Sequence, residues 1–375
     1  MRIVDLPTSA FIAFFVSFSI SILIVMTKKI HGSVSYDAIQ GIQKNHSNPT
    51  PRIGGLALFI AIIAAYFSAH PERQVIFSHL ILAGVPAFFF GFLEDCTKKV
   101  SVRKRLLATM LSGVIGYILT GFSLTELNIP LVDDLLSVPI LSIAFTAFAV
   151  AGIANAINII DGAHGLASGM VAIALIGLSA IAYTVGDLNL AYVGFALAAA
   201  VIGFFLVNWP FGRLFLGDGG SYFLGFSLAW IAVLLVERNS SVSSFAAFLI
   251  CIYPFSEVAF TIYRRIIKRN HPGDADRLHL HSIIMYRYFK KIFLTSRPRG
   301  FHNAMTGVVI ASMSVPPAVA AYYFHTNTFL LSLFSVLFMF LYLTIYARAV
   351  CFRWCLPIRF FTARVKVEVK EGMSL

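Results

Sequence analysis

NLAYVGFALAAAVIGFFLV, residues 189–207, runs its whole length without a charged side chain. At 1.5 Å per residue a helix of this stretch is about 28 Å long, close to the thickness of a bilayer's hydrocarbon core. It is bracketed by Gly186–Asp187 and by Asn208–Trp209–Pro210, a helix-breaking end. Working outward, ten further apolar runs appear, near residues 8–26, 53–69, 75–93, 106–122, 136–154, 166–185, 222–236, 243–262, 304–323 and 328–349. The 375-residue chain is 58% hydrophobic and only 12% charged, about half the charged fraction of a soluble domain. A β-barrel would show alternating segments of about ten residues. The expected fold is therefore all-α, a polytopic membrane bundle of about eleven transmembrane helices.

Charge sets the expected orientation. With the N-terminus outside and the C-terminus inside, segments 27–52, 94–105, 155–165, 208–221, 263–303 and 350–375 face the cytoplasm. All Lys and Arg except Arg2, Arg73 and Arg238 fall in these segments or at their edges, as the positive-inside rule requires. The net charge of +12 is thus a membrane-surface feature and does not indicate nucleic acid. The outer connections are short, apart from 122–135, whereas the inner ones are long and rich in Gly, Pro, His and Asp. Function is expected on the cytoplasmic face of a single transmembrane domain, residues 1–350, followed by a basic cytoplasmic tail, 351–375. The four cysteines, Cys96, Cys251, Cys351 and Cys355, have neither metal-site nor disulfide-framework spacing. The first apolar run lacks a small-residue cleavage site and reads as a retained span.

Four inner segments carry acidic residues at or just beyond span ends: Glu94–Asp95 in FGFLEDCTKK, Asp161 in NAINIIDGAHGL after Asn155 and Asn158, Asp218 in FLGDGGS, and Asp274 with Asp276 in HPGDADRLHLHS. One loop Asp by itself is more often a solvated carboxylate. Four acidic clusters on one face, three with adjacent Gly, point to a ligand, because Gly lets backbone approach closely and adjacent amides cradle phosphate oxygens. Carboxylates without thiolates suit a hard cation such as Mg²⁺. Lys98, Lys99, Arg103, Arg105, Arg264, Arg265 and Arg277 share these segments, and the combination suits diphosphate chemistry. Many of these cations also serve as membrane anchors. His279 and His281 lack a third zinc partner; a backbone-satisfied loop role and a diphosphate role stay equally open. Glu257, near the inner end of a span, is a functional candidate or a partner of Arg264. Pro49–Thr50–Pro51–Arg52 with Gly54 and Gly55 reads as a rigid helix entry.

Together these motifs resemble the polyprenyl-phosphate N-acetylhexosamine-1-phosphate transferase family, which includes the phospho-muramoyl-pentapeptide translocase. The resemblance runs in family order from PTPRIGG at 49–55 to HLHS at 279–282. FLGDGGS is similar to the family's FMGDxGS, and NAINIIDGAHGL to NxxNxxDGxxGL. It implies transfer of an N-acetylhexosamine 1-phosphate from a UDP-N-acetylhexosamine to polyprenyl phosphate, releasing UMP, at the cytoplasmic face of a bacterial inner membrane; a homodimer is compatible with it. It further implies Mg²⁺, with Mn²⁺ as a substitute, held by Asp218 and Asp95. Asp95 with Glu94 would position or deprotonate the lipid phosphate. Asn155, Asn158 and Asp161 would serve the nucleotide or the active geometry, and Arg277, His279 and His281 the diphosphate. Arg52, Arg105 and Gly219 complete the implied substrate site. Glu94 stands where the family has Asp, His164 where many members have a second Asp, and Ser282 where a further His is common. Two other readings compete. A secondary transporter of an anionic solute would place its charges near the midplane, and a lipid-phosphate-binding scaffold would lack the acidic triad of Asp95, Asp161 and Asp218.

Overall fold

The computed structural model describes residues 5–37, 49–268, 278–289 and 300–351. Among them every regular element is helical, apart from one antiparallel bridge between Tyr36 and Pro51. In chain order these are α1 (Asp5–Met26), α2 (Lys28–Ser35), α3 (Gly54–Ser68), α4 (Pro71–Thr97), α5 (Val102–Thr120), α6 (Pro130–Leu136), α7 (Pro139–Ile160) and α8 (Leu166–Thr184). There follow α9 (Leu188–Asn208), α10 (Gly217–Arg238), α11 (Ser244–Ile250), α12 (Ile252–Lys268), α13 (Leu280–Ile284), a π-helical turn (Met285–Phe289), α14 (Phe301–Ser312), α15 (Val315–Phe324) and α16 (Thr328–Cys351). Local chemistry sets many boundaries. Pro occupies the first turn of α4, α6 and α7, where its missing N–H costs nothing, and Gly121 closes α5 in the left-handed region.

Eight spans among the described residues are long and apolar enough to cross a membrane: α1, α4, α7, α8, α9, α10, α14 with α15, and α16. The chain is thus a multi-pass membrane protein, and each of the eleven expected runs has a helical counterpart. The other three depart from a simple crossing. α3 has only 15 residues, and the first turn of α5 carries Arg103, Lys104 and Arg105. The run expected over 243–262 is broken, with α11 and α12 meeting at 75°. Pro254 explains the break: it has no N–H to donate to Ile250, and its ring collides with that carbonyl.

α10 is the axis of the bundle. It is buried along nearly its whole length and packs against α3, α4, α5, α7, α8 and α9. A helix apolar on every side belongs in such a position. Small residues permit the approach, as helix packing in lipid requires: a β-carbon at Gly225 would lie 2.4 Å from Ala154 Cα in α7. Because α4 and α7 run opposite to α5 and α10, the C-terminal ends of the first pair and the N-terminal ends of the second meet at one end of the bundle. The tail beyond residue 351, and Asp274, Asp276 and Arg277, lie outside the described residues.

Candidate active site

The segment before α3 is clamped on two sides. Arg52 N donates to Ser35 O at 2.8 Å and Asp37 N to Thr50 O at 3.0 Å, while Phe215 N donates to Pro51 O at 2.9 Å. Gly54 N and Gly55 N bond Phe215 O and Leu216 O, each at 2.9 Å. These bonds carry the Arg52 side chain to the start of α10. Its guanidinium lies 3.6 Å from Asp37 Oδ1 and 3.4 Å from Asp95 Oδ1, and donates to Asp218 Oδ1. Arg105, from the first turn of α5, pairs with the other Asp218 oxygen. Asn158 Nδ2, from the last turn of α7, donates to Asp218 Oδ1 at 3.0 Å and to Ser221 Oγ at 2.9 Å. Asp218 is 2% exposed and Arg52 24%, so a buried anion is compensated by one cation that reaches toward water and by Arg105, itself nearly buried.

Asp95 has a different geometry. Its two oxygens accept the backbone N–H groups of Asp218 and Gly219, each at 2.8 Å, so the last turn of α4 caps the N-terminus of α10 with a carboxylate. Gly217 makes room for it at φ +76°, where a β-carbon would stand 2.6 Å from Asp95 Oδ2. Lys98 Nζ reaches back to Asp95 O at 2.5 Å; burial, helped by Arg52, pulls the Lys98 ammonium below its ordinary range. Glu94 does not join Asp95. Its Oε2 accepts from Val100 N at 2.6 Å and holds the α4–α5 turn. Successive helical residues point about 100° apart, so the acidic pair divides its work.

The remaining expected residues fall in two groups. Asn155 accepts from Tyr222 Oη at 3.2 Å, and Arg105 lies over that tyrosine ring, 5.6 Å from its centre. Asp161 follows α7 directly; burial pushes its carboxyl up to about 7, against the pull of Arg52 and with a push from Asp37. His279 and His281 stack in parallel with centroids 5.6 Å apart. A β-carbon on Gly162, beside Asp161, would be 2.3 Å from His281 Nε2. Burial, with His279 adding to it, lowers His281 to about 4, which keeps the ring neutral. His164 is held at two points: its backbone N–H donates to Asn303 Oδ1 at 2.8 Å, and its ring Nδ1 sits 3.2 Å from Pro210 O.

Sequence reasoning passed over Asp37, which is buried beside Arg52. It sits in an inner segment but belongs to no motif, so position in that segment was its only signal. Tyr222 was missed too, inside an apolar run.

Among the described residues no three His, Cys, Asp or Glu side chains are grouped to hold a metal by themselves. The carboxyl oxygens of Asp218 and Asp161 are donors of the kind that a hard cation such as Mg²⁺ shares with substrate phosphates. Arg52 and Arg105 carry the positive charge that suits phosphate oxygens, while Asp37, Asp161 and Asp218 carry the carboxyl oxygens that suit a cation. The charged groups lie at helix ends, away from the span centres where a transporter would hold its solute.

Residues 77–236 match the model of a family described as glycosyl transferase family 4; Asp95, Arg105, Asn158, Asp161 and Asp218 fall inside that stretch. The chain is 25% identical over 338 residues to the probable undecaprenyl-phosphate N-acetylglucosaminyl 1-phosphate transferase of Bacillus subtilis (strain 168), covering 90% of each. It is 28% identical over 274 residues to the undecaprenyl-phosphate alpha-N-acetylglucosaminyl 1-phosphate transferase of Yersinia pestis, covering 71% of this chain and 74% of that one. Its identity to the same-named protein of Escherichia coli (strain K12) is 25% over 362 residues, covering 94% and 93%.

Proposed function

We propose that this chain belongs to glycosyl transferase family 4, whose model matches residues 77–236, and that it transfers N-acetylglucosamine 1-phosphate from UDP-N-acetylglucosamine to undecaprenyl phosphate. The observation that carries the reading is Asp218, buried at the start of α10 between Arg52, Arg105 and Asn158. A site of that make-up accepts a diphosphate and its counter-cation together. The names of the relatives supply the sugar and the lipid.

An oxygen of the ionised lipid phosphate forms a bond to the sugar-bearing phosphorus. The bond from that phosphorus to the bridging oxygen breaks, and UMP leaves with the electron pair. No proton need be removed from a phosphate already ionised, so placement and charge neutralisation dominate. Arg52 and Arg105 bind and orient the phosphates, and Asn158 holds Asp218. Asp95 keeps the first amides of α10 in place, and its main-chain carbonyl positions Lys98. His279 and His281 approach the diphosphate from the side of Gly162. Mg²⁺, held by Asp218 with Asp161 near by, would neutralise charge building on the phosphates. The distribution of Lys and Arg supports a site on the cytoplasmic side of a bacterial inner membrane, where nucleotide sugars are made.

The test is purified protein in detergent with undecaprenyl phosphate, Mg²⁺ and a panel of UDP-N-acetylhexosamines. UMP and a lipid-linked sugar should form together, in equal amounts, with UDP-N-acetylglucosamine as the best donor. Folded protein that releases no UMP from any donor would overturn the reaction.

A further inference from the structure

Glu257 is an anomaly in the bundle. It is 1% exposed and sits on α12, and it makes three bonds. His279 Nδ1 lies 3.0 Å from Oε1 and Leu280 N donates to the same oxygen at 3.1 Å. Tyr342 Oη, from α16, donates to Oε2 at 3.0 Å. A carboxylate surrounded by donors acts as an acceptor, so the proton between it and His279 resides on Nδ1. Leu278, next to His279, is held as well: its carbonyl accepts from Arg264 Nη1 at 2.6 Å and from Tyr346 Oη at 2.9 Å. His279 then stacks on His281, whose ring abuts Gly162 next to Asp161.

An apolar residue of similar volume would join α12 to α16 at lower cost than a desolvated carboxylate. The bond to a histidine ring nitrogen is what such a residue could not provide. In hydrolases and metal sites a carboxylate on one ring nitrogen sets the tautomer and aims the other at the ligand. Resting on the reaction given above, we propose that Glu257 is a positioning residue that acts through His279: it holds Nδ1 protonated and keeps Nε2, on the opposite edge of the ring, aligned for the diphosphate of the nucleotide sugar. Tyr342 in turn fixes Glu257, so α16 helps set the geometry of a site it does not enter.

A double-mutant cycle separates this role from simple gluing of helices. Glu257→Gln, His279→Ala and the double variant are compared with wild type in the UMP-release assay, with kcat and KM for UDP-N-acetylglucosamine and the melting temperature measured for each. Glu257→Gln should lower kcat/KM by about 10- to 100-fold, the range for partners that orient functional histidines. His279→Ala should lose at least as much, and the double variant should lie within about twofold of His279→Ala. Losses that multiply in the double variant, or an unimpaired Glu257→Gln or His279→Ala, would overturn the inference. Should the amide variant not fold, Glu257→Asp carries the same cycle, since it keeps the charge and shortens the reach. Wild-type protein that releases no UMP would overturn the reaction and, with it, this inference.

Discussion

Asp95→Asn separates the capping role the structure gives this residue from a direct role in the chemistry. The carboxylate accepts two buried N–H bonds at 2.8 Å and places its charge at a helix N-terminus. Hydrogen bonds to a charged group are each worth about 1.5–3 kcal/mol, and a well-placed charge on the helix dipole up to about 2 kcal/mol. Asn keeps one acceptor oxygen, loses the charge and turns an NH₂ toward one of the two amides. It is also cheaper to bury, which offsets part of the loss. The net effect should be about 3 kcal/mol. For 375 residues, an unfolding entropy of about 2.1 cal/mol/K per residue gives about 0.8 kcal/mol per degree on the soluble-protein scale, hence a fall of about 4 °C in melting temperature. Turnover should fall as well, because the same two bonds hold Asp218 in place. The assay is thermal unfolding in detergent alongside UMP release. A melting temperature within a degree of wild type, with turnover abolished, would refute the capping argument and return Asp95 to the lipid phosphate.

Asp218→Asn should abolish UMP release at every Mg²⁺ concentration while the protein still folds and inserts; near-normal turnover would remove Asp218 from the site. Asp161 yields a pH prediction. Its carboxyl is pushed up to about 7, whereas the unfolded chain ionises it near 3.8, so the folded state loses stability as pH rises between about 4 and 7 and then levels off. Asp161→Asn should therefore melt higher than wild type by a margin that grows from pH 5 to pH 8, while losing turnover; a margin independent of pH would contradict the burial argument. Asp187, at the opposite end of the bundle, caps α9 through Leu190 N and pairs with Arg238 at 2.8 Å. Asp187→Asn should lower the melting temperature by a few degrees and leave kcat within about twofold, measured in the same two assays.

The helical class and the approximate spans were legible because each rests on a property of consecutive residues. A run such as 189–207 must be helical in lipid whatever its neighbours do, since every backbone group has to be satisfied within the segment. Pro254 announced a break in the same way, although the run was read as one span. FLGDGGS was legible too, because its glycines are needed where α10 meets α4 and Asp95. The division of labour between Glu94 and Asp95 was not. Helix phase turns them apart, but only the packing of α4 on α10 decides which one faces the amides.

Residues far apart in the chain required the fold. Arg52 meets Asp218 across 166 positions, and Tyr342 meets Glu257 across 85; neither pair belongs to one motif. Asp37 joins Arg52 because two backbone bonds lay its segment along residues 50–52. The sequence by itself determined a helical membrane protein with acidic and basic residues gathered at one set of helix ends, since solvent transfer and local backbone preference act residue by residue. Tertiary structure alone decided which carboxylate caps, which binds guanidinium and which orients a histidine. Those roles depend on contacts of a few ångströms between helices whose relative rotation no local pattern encodes.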